Sequence, residues 1–122
     1  MPINSTEVSY GFGQMGSIYT TAAQAAITPP TNKVFVAITM LADTVFDSSE
    51  GLIASNDITS GLEYIGTDAA AHDAVLSPNL GESGVGGLVV DSVTFPKGIT
   101  IYGRWSEIDV SSGGGIVAYI GD

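Results

Sequence analysis

Cysteine is absent from the 122 residues, and basic residues nearly so. The first absence excludes disulfides and thiolate metal sites, leaving packing or assembly as the source of stability. The second leaves Lys33, Lys97 and Arg104 against 13 Asp and Glu, a formal net charge of −10. Recognition of a phosphate backbone needs clustered Lys and Arg, so nucleic acid is not expected as a direct ligand. Anionic membrane surfaces are disfavoured on the same ground. No apolar run approaches the length of a membrane span, and MPINSTEVSY lacks the basic and apolar regions of a secretory signal.

Charge of either sign is scarce. Charged residues make up 13% of the chain, about half the roughly 25% of ordinary soluble domains. Much of the surface therefore consists of Ser, Thr, Gly, Asn and apolar groups. Repeated subunit contact leaves this composition, because the centres of interfaces are depleted in charged side chains. The length suits one domain with one core.

Residues 1–30 are rich in Gly, Ser, Thr and Ala and end in Pro29-Pro30, a pair that halts regular structure. They read as an irregular N-terminal arm or leader, either extended over a neighbouring subunit or packed on its own domain as strand or loop. A domain over 31–122 follows. Lys33 to Leu41 (KVFVAITML) is almost continuously apolar and β-branched, the pattern of a strand covered on both faces. Further strands are expected at Thr44–Phe46, Leu62–Ile65 and Leu88–Phe95, with a turn at Asp47–Gly51 and a long surface loop over 66–87. Phe95-Pro96-Lys97-Gly98 suits a type I turn. After it, Ile99, Ile101 and Trp105 share one parity while Ile108 and Val110 take the other, which predicts a bulge or bend near Ser106-Glu107. Ser111–Gly115 (SSGGG) is expected as a flexible hairpin connection to a closing strand, Ile116–Ile120. Several short strands with Gly-rich turns indicate an all-β fold, a single-domain antiparallel β-sandwich or barrel with jelly-roll-like topology among the candidates.

Residue sets that carry chemistry fail on context. Gly11-Phe12-Gly13-Gln14-Met15-Gly16 matches GxGxxG, but neither the preceding strand nor the following helix of a dinucleotide site is expected there. His72 is the only histidine; its neighbour Asp73 would point to the opposite face of a strand, and Ser83 in GESGVG lacks the second glycine of a nucleophile elbow. Asp43, Asp47, Glu50 and Asp57 match no calcium-loop spacing. Glu63, Asp91 and Glu107 would form a glycosidase pair only if the fold joined two of them. No catalytic, metal or cofactor-binding residue is assigned, and the expectation is a protein that is not an enzyme. Tyr102 and Tyr119, opposite the predicted inner faces, are candidate contact residues together with Pro29 and Pro30, because aromatic rings are enriched at interfaces.

Taken in order, KVFVAIT, FPKGITIYGRW and GGGIVAYIG resemble segments of small virion-associated proteins of tailed bacteriophages, particularly marine and cyanobacterial ones. The likeness spans Lys33 to Gly121 and rests on strand and turn patterns. It implies a capsid decoration or cement protein: β-rich, a homo-oligomer with a trimer favoured, bound to the major capsid protein on the virion exterior and made in the host cytoplasm. The alternative is a tail- or head-fibre module for a host receptor or glycan, with the 66–87 region as its recognition surface. A glycan-cleaving enzyme is a third reading.

Overall fold

A computed structural model describes residues 15–48, 51–55, 65–67, 90 and 92–122. The fold is all-β and antiparallel throughout. Strands β1 (Ser17–Thr20), β2 (Val34–Met40), β4 (Leu52–Ala54), β5 (Thr100–Ile108) and β7 (Ile116–Gly121) form a five-stranded sheet in the order β1-β7-β2-β5-β4, and β3 (Val45–Phe46) pairs with β6 (Val110–Ser112). The apolar run at 33–41 thus becomes the central strand, between β7 and β5.

Alternation sorts the side chains of this sheet into two faces. Inward, Phe35, Ile38 and Met40 of β2 pack with Trp105, Ile116 and Ile120. Phe46 of β3 and Val110 of β6 close the same core, and Phe95 meets Phe46 edge to face with ring centroids 5.5 Å apart. Phe35 and Ile38 are an odd number of residues apart yet both face inward, because Val36 is an extra residue where Phe35 pairs Ile120 and Ala37 pairs Tyr119. Trp105 and Ile108 pose the same problem on β5. Ser106 solves it: Ile53 pairs Glu107 and Ala54 pairs Trp105, so Ser106 is the bulged residue that the parity change at 105–108 requires.

The Trp105 ring is fully buried, and its Nε1–H donates to the Ile65 carbonyl at 2.8 Å. The ring lies across Gly103, where an added Cβ would stand 2.7 Å from its Cζ2. At the far end of β5, Asp109 carries the chain from one sheet to the other. Its N–H donates to the Gly51 carbonyl, and its carbonyl accepts from the Asp47 N–H, both at 2.9 Å.

Four expectations change in detail. Ser17–Thr20, inside the stretch read as a leader, is an edge strand paired to β7, and Ile27 bridges Ile108 beyond the start of β2, so residues 17–27 pack on their own domain. The turn after Phe95 has Gly98 at its third position with φ +93° and a bond from the Ile99 N–H to the Pro96 carbonyl, which is the type II arrangement rather than type I. Ser111–Gly115 is neither a hairpin nor loose: β5 and β7 both flank β2, and the glycines press on residues 41–44. Gly113 and Gly115 adopt φ +134° and +142°, and the Leu41 N–H donates to the Gly115 carbonyl at 3.0 Å. Of the segment expected as a strand at 88–95, Phe95 makes one bridge, to Thr44, while Val90 and Ser92–Thr94 carry no strand. Residues 62–64 and 68–89 lie outside the described residues.

Candidate functional site

The outward face of the five-stranded sheet brings together the two tyrosines that parity singles out. In register, Tyr119 of β7 and Tyr102 of β5 flank Ala37 of β2, with Ser17 of β1 completing the row. The neighbouring row runs Tyr19, Val117, Thr39, Thr100 across the same four strands. Direct cross-strand partners share a face, and the Thr39 and Thr100 hydroxyls confirm it by hydrogen bonding at 2.8 Å. Leu41 continues the phase of Ala37 and Thr39 one residue beyond β2.

None of these nine side chains is charged. Tyr102 is 63% exposed, Tyr19 60% and Leu41 46%, so three of the five exposed large hydrophobic residues among the described residues lie on this one face. The Tyr19 ring is seated against Gly115, where an added Cβ would lie 2.8 Å from its Cε1, and its hydroxyl reaches the Gly114 carbonyl at 3.5 Å. Sequence parity located Tyr102 and Tyr119. It missed Tyr19 and Leu41: Tyr19 lay in a segment with no strand signal, and Leu41 was read as the end of a wholly buried run.

Pro29 and Pro30 do not join the face. They lead into a turn in which the Lys33 N–H donates to the Pro30 carbonyl at 3.0 Å and Asn32 takes φ 64°, feeding β2 from the end where Ile27 bridges Ile108. Two of the three basic residues also lie towards this end. Lys33 pairs with the Asp122 carboxylate, and Arg104 Nη1 donates to the Asp122 carbonyl at 2.6 Å, tying β7 to its neighbours. Lys97 sits in the type II turn, where its backbone N–H donates to Asp43 Oδ1 at 2.9 Å.

Gly16, the last glycine of the GxGxxG match, leads into strand β1 and accepts a bond from the Ile120 N–H. His72, Asp73, Ser83, Glu50, Asp57, Glu63 and Asp91 lie outside the described residues. Among the described residues no group of three or more His, Cys, Asp or Glu could hold a metal ion, and no helix is long and apolar enough to cross a membrane. No protein-family model, no curated protein and no solved structure matches this chain. The site is therefore read from its own chemistry, an uncharged patch of Tyr, Thr, Ala, Val and Ser side chains suited to contact with another macromolecular surface.

Proposed function

We propose that the protein is a virion structural protein, most directly a capsid decoration or cement protein that binds the outer capsid surface and stabilises the shell. The observation that carries this reading is the uncharged patch of nine side chains on the outer face, with Tyr19 and Tyr102 at 60% and 63% exposure. An exposed sheet face that need only be soluble alternates core residues with charged and polar ones; this one bears rings, Thr, Val and Leu. Such a surface is a subunit contact. The low charge of the whole chain and the likeness of its strand and turn segments to small phage virion proteins support the same conclusion.

The mechanism is linkage. A protein that binds only the assembled shell lowers the free energy of that state alone, by about 2.7 kcal/mol per site when present at a hundred times its dissociation constant. Labelled protein is expected to saturate shells that lack it at a fixed, high copy number and to raise their dissociation temperature. Absence of binding together with unchanged heat resistance overturns the proposal. A few copies confined to the tail or to fibres would replace it with the fibre-module alternative.

A further inference from the structure

We infer that the outer edge of β1 is a site for strand addition, taking one extended segment of a partner polypeptide into the sheet. It lies beside the open face and does not depend on the virion role. The register fixes what this edge offers. The Ile120 N–H donates to the Gly16 carbonyl at 3.0 Å, so in the antiparallel ladder Ile18 and Thr20 exchange bonds with Ala118 and Ile116, while Ser17 and Tyr19 take the alternate, non-bonded positions. The N–H and C=O groups of Ser17 and Tyr19 therefore point away from β7. Among the described residues nothing pairs with them. Past Tyr19 the row ends, because the Thr21 carbonyl and hydroxyl accept from the Gln24 and Ala23 N–H groups in a local turn.

The other edge of the sheet is closed. Strand β4 carries a register shift between Ile53 and Ala54, and both outward groups of Leu52 are taken: its N–H donates to Thr67 Oγ1 at 2.8 Å and its carbonyl accepts from the Thr67 N–H at 3.0 Å. Bulges, charge, proline and covering segments are the means by which an edge is kept from pairing. Strand β1 has a regular register and neither charge nor proline.

The hydrogen-bonding pattern selects the occupant. Ser17 and Tyr19 present donors and acceptors that repeat every second residue, at about 3.4 Å per residue, and an extended peptide backbone carries the complementary repeat. A nucleic-acid strand brings phosphate acceptors without matching donors, to a chain of net charge −10. Flanking side chains narrow the choice further. Directly opposed residues share a face, and Ile18 is half-buried against the core, so the incoming residue opposite it is apolar. Those opposite the exposed Ser17 and Tyr19 are free to be polar. The occupant is thus an alternating apolar and polar strand.

Hydrogen exchange of the full chain, read amide by amide by NMR, tests this with an acetylated, amidated peptide of alternating threonine and valine as the probe. In the free protein the Ser17 and Tyr19 amides are expected to exchange fast. At saturating peptide both should slow by roughly fivefold or more, and the same peptide N-methylated at every residue should slow neither. Ser17→Pro removes an outward donor and no bond to β7, a placement proline tolerates on an edge strand. Its fold, checked by circular dichroism, is expected to stand while the peptide no longer protects Tyr19; Ser17→Ala keeps that protection. Ser17 and Tyr19 amides that are already slow without peptide, that stay fast with it, or that slow equally with the N-methylated peptide overturn the inference. So does undiminished protection of Tyr19 in a folded Ser17→Pro. Should that variant unfold, the two peptides on the wild type still decide.

Discussion

On one face of the five-stranded sheet Phe35, Ile38 and Met40 meet Trp105, Ile116 and Ile120; on the other, Ala37 and Thr39 from the same strand meet Tyr102, Thr100, Val117 and Tyr119. The first face is sealed. The second is open, yet its patch around Tyr102 and Tyr119 is as free of charge as the first. Backbone alternation sorts the residues between the two faces, but it does not explain why the nine positions around Tyr102 and Tyr119 on the open one lack the Lys and Glu that ordinarily solvate a sheet, while Arg104 and Glu107 follow only further along β5. That composition is what the proposed contact role requires, and the comparison between the faces can be broken in measurable steps.

The largest effect is expected on the sealed face. Trp105→Ala removes a wholly buried indole and the donor to the Ile65 carbonyl. About 3–5 kcal/mol of unfolding free energy should be lost, a large part of the roughly 5–15 kcal/mol a domain possesses; urea unfolding measures it. Gly103→Ala comes next. Its methyl would press on the Trp105 ring from 2.7 Å, and overpacking of this kind costs about 1–3 kcal/mol. A variant that melts at the wild-type temperature would show that the ring does not need the space above Gly103. Smallest is Tyr102→Ser on the open face. In the isolated protein it should change stability by no more than about 0.5 kcal/mol, and a loss as large as that of Gly103→Ala would mean that the two faces are not distinct.

Patterning made the sealed face readable. The unbroken apolar run at 33–41 marked the central strand, the parity change between Trp105 and Ile108 marked the bulge at Ser106, and IVAYI marked β7. Strand β1 was not legible, because SIYT is four residues long and sits among Gly, Ser and Thr; its pairing with β7 supplies the order that its composition does not. The GGG run was misread for a related reason. Glycine permits looseness, but here it permits close approach, with Gly113 against the Asp43 carbonyl and Gly115 under the Tyr19 ring. Of the candidate contact residues, the shared outward position of Tyr102 and Tyr119 followed from parity. The place of Pro29 and Pro30 in the turn before β2 did not, because a proline pair announces a break in structure and says nothing of which surface the break lies on.

Trp105 has a further consequence. It is the only tryptophan in the chain, it is held in the core by its indole N–H, and it points away from the open face of the sheet. Its emission is therefore a private signal of the interior. The wavelength should move to the red when the sheet opens to water and stay fixed when a partner leaves the open face, so a single light measurement separates unfolding from dissociation without any added label.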